Sequence, residues 1–175
     1  MMRVRIKKNS DRTIQEICRL EIERTNMIRH IKYNRFGFYS LVTMIIIFLF
    51  SSQTAAESGH LSNNLKDALN PYFNNVFSIV DIRNIAHFTL FGILGGLLFT
   101  HLRYTKQYKY KVIYYLFALF LTACYAIFDE VHQFFIQGRG CELSDVFIDL
   151  SGCMTVLIIN AIIITILEIK HRRGN

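Results

Sequence analysis

A single stretch of the chain concentrates side chains that do acid–base chemistry and bind anions. Within the run from position 129 to position 149, these are Asp129, Glu130, His132, Gln133, Arg139, Asp145 and Asp149. Carboxylates beside histidines can transfer protons, and an arginine can bind a phosphate or carboxylate through two parallel N–H groups. We therefore expect Asp129, Glu130 and His132 to be catalytic. We expect Gln133, Arg139, Asp145 and Asp149 to bind substrate.

Two earlier places in the chain add to this set. Ser52 and Gln53 follow an apolar block, and His87 lies inside another apolar block. Polar and ionisable residues within apolar segments are energetically expensive and are often functional. We expect His87 to be a fourth catalytic residue, and Ser52 and Gln53 to bind substrate.

Helical spacing places these candidates on shared faces. One set at i, i+3 and i+4 comprises Asp129, His132 and Gln133. Asp145 and Asp149 are four residues apart, so both point the same way from a helix. Gly152 continues that stripe and predicts that a neighbouring helix approaches closely there.

The same residues also have a purely structural interpretation. Glu130 with Arg139, or Asp149 with Arg83, could form ion pairs that set helix register. Asp145 could cap the helix that it opens, where a negative charge also suits the helix dipole. These interpretations remain open beside the functional one.

Metal ligation is a further alternative for the histidines and carboxylates. A metal is conceivable from His87, His132, Asp129 and Glu130. The sequence has no HExxH motif, and its four cysteines form no CxxC pair. We therefore predict no metal and no cofactor.

The segments that carry these residues are apolar enough to cross a membrane. The chain is 52% hydrophobic, and its apolar residues gather in blocks at 36–50, 84–102, 112–128 and 146–167. A membrane-spanning helix needs about 20 mostly apolar residues. The blocks predict an all-α membrane protein, a bundle of four transmembrane helices, with the lipid bilayer as its partner.

The basic residues predict the orientation of this bundle. Of the 20 Lys and Arg residues, only Lys66, Arg83 and Arg139 lie outside the segments 1–35, 103–111 and 168–175. Lys and Arg are enriched on the cytoplasmic side, so both termini are predicted to be cytoplasmic. The polar candidates then cluster at the outer leaflet. Because topology accounts for the net charge of +7, we expect no nucleic-acid partner.

Three regions follow from this topology: a basic cytoplasmic segment 1–35, a membrane domain 36–167 and a cytoplasmic tail 168–175. Segment 1–35 is either a helix from about Ser10 to residue 32 on the anionic inner leaflet or a disordered tail. Its length argues against a cleaved signal peptide ending near Ala56. In the loop 51–83, the leucine spacing from Leu61 predicts a short interfacial helix, with a turn at Asn70-Pro71.

Three separated motifs resemble those of VanZ-like membrane proteins. They are DEVHQFFIQGRGCELSDVFIDLSG at 129–152, SSQTAAESGHLS at 51–62 and NIAHF at 84–88. In that family an Asp-Glu-x-His-Gln run ends one helix, and an Asp opens the last helix. The resemblance covers roughly residues 36–167. The family often has Lys at the position of Asn84 and Glu-Tyr at Leu90-Phe91, so the second helix is less polar here.

The resemblance implies a bacterial cell-envelope protein. The family takes its name from teicoplanin resistance, which favours lowered sensitivity to lipoglycopeptide antibiotics through a polar cleft at the outer leaflet. The ligand would be the antibiotic or a lipid-linked peptidoglycan precursor. An alternative is an enzyme that acts on such a precursor or a lipid headgroup by carboxylate and histidine chemistry. A further alternative is a non-catalytic membrane scaffold.

Overall fold

The chain folds into five α-helices, seen in a computed structural model that describes residues 2–73, 79–105 and 110–173. The described residues include no β-strand. The helices are α1 (Met2–Ser51), α2 (Ala55–Phe73), α3 (Ile79–Thr105), α4 (Val112–Phe134) and α5 (Leu143–Arg173). The all-helical architecture predicted from the sequence is confirmed.

Three of the four predicted spans are single helices. Residues Ile82–Thr105 of α3, together with α4 and α5, are long and apolar enough to cross a membrane. The first predicted span reaches that length only if Arg35–Ser51 is counted together with Ala55–Leu69, across a bend of 107°. By length and composition the described chain therefore has three spans, or four if this bent pair is one.

Polar and apolar side chains are distributed as in a membrane protein. Asp129 and Glu130 are each 1% exposed and Asp149 is fully buried, whereas Phe120 is 61% exposed and Phe147 is 71% exposed. A water-soluble protein avoids large exposed apolar surfaces and keeps most carboxylates in solvent. The reversed distribution fits a helical bundle with lipid around it, and the chain is a multi-pass membrane protein.

Helices α3 and α5 pack most closely, because glycines remove the side chains between them. A Cβ at Gly152 would overlap the backbone carbonyl of Phe88, and a Cβ at Gly95 would overlap the Cys153 side chain. The close approach predicted at Gly152 is thus confirmed. It brings Phe88, in the first half of α3, against Gly152, in the first half of α5.

Helix α1 packs against α3 and α4. The Tyr125 hydroxyl donates a 2.6 Å hydrogen bond to the Met44 carbonyl and joins α4 to α1. Ile47, Phe91, Leu94 and Ala126 form a buried apolar cluster between these helices and α3. This cluster lies beside the end of the bundle at which α1 and α4 end and α3 and α5 begin, which we call the polar end.

Helix α2 begins at a capping box that the sequence contains as Thr54-Ala55-Ala56-Glu57. The Glu57 carboxylate accepts hydrogen bonds of 2.9 Å from both the Thr54 N–H and the Thr54 hydroxyl. The Glu57 N–H returns a 3.3 Å bond to Thr54 Oγ1. This reciprocal pattern satisfies backbone groups that a helix start leaves unpaired. It lies at the bend between α1 and α2.

Two sequence-based boundaries are wrong. Helix α1 begins at Met2 and continues without a break into the apolar block, rather than running from Ser10 to residue 32. Helix α2 includes Pro71 and ends at Phe73, so Asn70-Pro71 is not a turn. Pro71 has no N–H to donate, so the last turn of α2 has one backbone hydrogen bond fewer than a regular helix.

Candidate functional site

Asp129 is the centre of a buried hydrogen-bond network at the polar end. Its Oδ2 accepts a 2.8 Å bond from the Ser51 hydroxyl and a 2.9 Å bond from Gln133 Nε2. The Gln133 amide oxygen in turn accepts a 3.1 Å bond from Arg139 Nη1. Arg139 Nη2 also lies 3.5 Å from the Phe50 carbonyl. The network therefore ties the end of α1, the last turns of α4 and the α4–α5 loop to one carboxylate.

His87 and Asp149 form the second polar contact of this end. His87 Nδ1 lies 3.2 Å from Asp149 Oδ1, and the two residues are 62 positions apart. The imidazole ring stacks on Phe91, one turn further along α3, with ring centroids 6.2 Å apart. A carboxylate that binds one ring nitrogen fixes the orientation of the imidazole and sets which nitrogen carries the proton.

These two contacts adjoin each other. One donor atom from each of His87, Asp129 and Asp149 lies within 4.8 Å of the donor atoms of the other two. In the described part of the chain, Asp129 Oδ1 and Asp149 Oδ2 are buried without a hydrogen-bond partner. A nitrogen and two carboxylates at this spacing are suited to hold a proton or a cation.

Glu130 faces away from this group, toward the start of α5. Its Oε2 accepts a 2.9 Å hydrogen bond from the Glu142 N–H, at the residue before α5. Its Oε1 is buried without a partner among the described residues. The carboxylate therefore tethers the α4–α5 loop to α4. No ion pair with Arg139 forms, contrary to the structural alternative considered from the sequence.

His132 also lies apart from Asp129, although both belong to α4. His132 Nε2 is 3.1 Å from the Ser52 hydroxyl, and the ring stacks on Phe48 at a centroid distance of 4.5 Å. Ser52 donates a 2.6 Å bond to the Phe48 carbonyl. This contact joins α4 to the end of α1 and does not contribute to the group of His87, Asp129 and Asp149.

Two arginines flank the polar end. Arg83 Nη2 donates a 3.3 Å bond to Asp145 Oδ2, which joins the start of α3 to the first turn of α5. Arg83 does not pair with Asp149, which binds His87 instead. Burial lowers the pKa of Arg139, and the nearby Arg83 charge lowers this pKa further. A guanidinium still remains charged at any physiological pH.

A cavity of about 260 Å³ opens beside this cluster, between α1, α2 and α3. Its walls are mostly apolar, and the polar residues Arg83, His87 and Arg139 lie on them. The apolar lining residues are Ile47, Phe50, Leu61, Leu65, Ile82, Ala86, Leu90 and Phe91, and the uncharged polar ones are Ser51, Gln53, Ser58 and Ser62. The site thus combines an apolar space with two guanidinium groups and an imidazole at its margin.

The predicted residues fall into separate groups in this arrangement. One group combines the buried Asp129, Gln133 and Asp149 with the partly buried His87 and Arg139. Gln53 lines the cavity, Asp145 pairs with Arg83, and Glu130, His132 and Ser52 make other contacts between helices.

The predicted site lacked two residues that the structure brings to it. Ser51, rather than Ser52, binds Asp129, and Arg83 reaches both the cavity and Asp145. Ser51 is one helical turn after the buried Ile47, so both side chains face the bundle interior. The rotation of α1 that produces this arrangement comes from packing between helices, which the sequence pattern does not specify.

Comparison with known families identifies the membrane part of the chain. The model of the VanZ/LLP1 family matches residues 36–164, which includes the polar end and the helices that carry it. No curated protein and no solved structure matches the chain.

Proposed function

Because the chain belongs to the VanZ/LLP1 family, we propose that it is a cell-envelope protein that lowers the sensitivity of bacteria to teicoplanin-type antibiotics. In this proposal it crosses the bacterial cytoplasmic membrane four times, with both termini in the cytoplasm. The polar end then lies at the outer leaflet. There it binds the lipid chain of the antibiotic or of a lipid-linked peptidoglycan precursor.

The cavity between α1, α2 and α3 is the observation that carries this proposal. Its apolar walls, with Leu61 and Leu65 from α2 and Leu90 from α3, suit a hydrocarbon chain. Arg83 and Arg139 at the margin suit the phosphate or carboxylate that follows such a chain, because guanidinium groups bind these anions bidentately. One amphipathic ligand would use both features together.

The size of the cavity limits what enters it. Sites for drug-sized ligands span about 300–1,000 Å³, and this cavity has about 260 Å³. A whole lipoglycopeptide is much larger, so only its lipid tail, or the first part of a precursor's lipid chain, would fit. The proposal therefore predicts an effect on antibiotics with a lipid tail and little effect on those without one.

Inhibition assays with teicoplanin and vancomycin test this proposal. Expression of the chain in a sensitive host should raise the inhibitory concentration of teicoplanin at least severalfold and leave that of vancomycin almost unchanged. Ala86→Phe, which fills the cavity, should remove the protection. Ile93→Phe, at an exposed position of the same helix, is the matched control and should retain it. Equal teicoplanin sensitivity with and without the chain would contradict the proposal.

A second candidate function is supported by the His87–Asp149 pair. A histidine on a cavity wall, oriented by a buried carboxylate, is the arrangement of a general base. An enzyme of this kind would act on a lipid-linked precursor or a lipid headgroup, with His87 as the base and Arg139 as the anion-binding group. Mass spectrometry of envelope lipids separates the two functions, since only an enzyme leaves an altered lipid. His87→Gln would abolish that difference.

Reporter fusions test the proposed orientation. A reporter that is active only in the cytoplasm should work when fused after Tyr110 and fail when fused after Gly140. A reporter that is active only outside the cytoplasm should give the opposite result. The reverse pattern would place the polar end at the inner leaflet, away from the antibiotic and its target.

A further inference from the structure

We propose that His87, Asp129 and Asp149 form a binding site for one divalent transition-metal cation, such as Zn²⁺ or Mn²⁺. The site would exist whichever ligand enters the cavity, so this inference does not rest on the proposed function. It differs from the metal set considered from the sequence, because Glu130 and His132 face elsewhere and Asp149 takes their place.

The first support is the geometry of the donors. In the part of the chain that the structure describes, these three residues are the one group of at least three His, Cys, Asp or Glu donors that lie within 4.8 Å of one another. Ligands bonded to a single zinc ion at about 2.0–2.2 Å lie roughly 3–4 Å apart. Small side-chain movements would therefore close the three donors around one ion.

The second, independent support is the state of the carboxylates. Asp129 Oδ1 and Asp149 Oδ2 are buried and have no hydrogen-bond partner among the described residues, although each residue is at most 1% exposed. A buried acceptor without a partner is costly, and a bound ion or water molecule is one arrangement that satisfies it. A cation bound by both oxygens would satisfy them at once.

The charges of the group also favour a cation. When both carboxylates are ionised, they carry two negative charges, and a protonated His87 supplies only one positive charge. The guanidinium groups bind elsewhere, Arg139 to Gln133 and Arg83 to Asp145. Buried charge without compensation is strongly destabilising, and a divalent ion removes the excess.

The chemistry of the donors indicates the class of ion. An imidazole nitrogen with carboxylate oxygens suits Zn²⁺ and Mn²⁺, whereas Ca²⁺ and Mg²⁺ prefer oxygen alone. Ser51 and Gln133 already hold the other oxygen of Asp129, which is how outer partners orient a metal ligand. Three protein donors also leave at least one position free, and His87 lies on the cavity wall.

Metal titration of the full chain in detergent, after chelator treatment, tests this inference. Wild-type protein should bind one Mn²⁺ per chain, and one Zn²⁺ should displace it. Asp129→Asn and Asp149→Asn should weaken binding at least about tenfold, since even outer partners of metal sites act on that scale. Asp145→Asn and His132→Ala, at the same end of the bundle, are the matched controls and should bind as the wild type does.

Electron spin-echo spectroscopy keeps the test decisive if a variant fails to fold. Mn²⁺ bound to the wild-type chain should show coupling to the nitrogen of one imidazole. Wild-type protein that binds no cation at a ratio of one per chain would overturn the proposal. So would bound Mn²⁺ without imidazole coupling, or folded Asn variants that bind the ion as tightly as the wild type.

Discussion

The Ser51 hydroxyl donates a 2.8 Å hydrogen bond to Asp129 Oδ2, between residues 78 positions apart in the chain. Both residues are buried, and Gln133 is the second donor to the same oxygen. The bond joins the end of α1 to the last turns of α4. Because only three residues separate the end of α1 from the start of α2, the same contact also positions one wall of the cavity.

Replacing Ser51 should therefore destabilise the protein more than replacing its neighbour. Ser51→Ala leaves a buried carboxylate with one donor fewer, which costs about 1–3 kcal/mol. Ser52→Ala is the matched control, because Ser52 is partly exposed and should lose less than about 1 kcal/mol. Thermal unfolding in detergent measures both. A smaller loss for Ser51→Ala than for Ser52→Ala would contradict the importance of the buried bond.

The glycine contact between α3 and α5 gives a second prediction. Gly152→Ala places a methyl group onto the Phe88 carbonyl and forces the helices apart, with an expected loss of about 1–3 kcal/mol or more. Gly59→Ala, in α2, is the control. No atom lies within 4 Å of the Cβ added there, and alanine favours a helix. Membrane-extract levels and unfolding temperatures should fall for Gly152→Ala alone.

Substitutions of Glu130 test whether its carboxylate only tethers the α4–α5 loop or also has a functional role. Glu130→Gln retains an oxygen that can accept the bond from the Glu142 N–H, whereas Glu130→Ala leaves that N–H without its acceptor. We expect Glu130→Gln to accumulate normally and to retain teicoplanin protection, and Glu130→Ala to be destabilised by about 1–3 kcal/mol. A Glu130→Gln protein that accumulates normally but gives no protection would instead indicate a functional role for its charge.

A substitution of Arg139 tests whether the margin of the cavity binds an anion, as proposed. Arg139→Lys keeps a positive charge but loses the planar fork that reaches both Gln133 and the Phe50 carbonyl. We expect it to reduce teicoplanin protection several-fold. The control is Lys111→Gln, which removes a charge from an exposed pair with Glu168 at the opposite end of the bundle. Exposed ion pairs contribute little to stability, so both protein level and protection should persist.

The capping box at the start of α2 gives a local prediction. Thr54→Ala removes the side chain that binds both the Glu57 N–H and the Glu57 carboxylate, at a cost of about 1 kcal/mol. Hydrogen exchange in the first turn of α2 should then be roughly fivefold faster, because local opening becomes easier by that amount. Exchange in α4 serves as the internal reference and should not change. Unaltered exchange in residues 55–58 would contradict the role of the cap.

The amino-acid sequence determined the class of the protein and the location of its chemistry. Apolar blocks of membrane length follow from composition alone, because a bilayer demands about 20 apolar residues per helix. That the polar residues gather at one end also follows from the sequence, since helices that alternate in direction bring every second end together. Gly152 was identifiable for a similar reason, because its spacing from Asp149 and Asp145 places it on the same helical face.

Only the tertiary structure decided which of the candidate residues contact one another. Asp129 and Glu130 are neighbours in sequence, yet consecutive helical residues point about 100° apart, and so one faces His87 and the other faces the start of α5. The choice between Ser51 and Ser52 depends on helix rotation and on the bend at Thr54. The partners of Asp149 and Arg83 depend on how α3 and α5 align across their glycine contact. Such pairings come from packing between helices, which residue spacing within one helix does not specify.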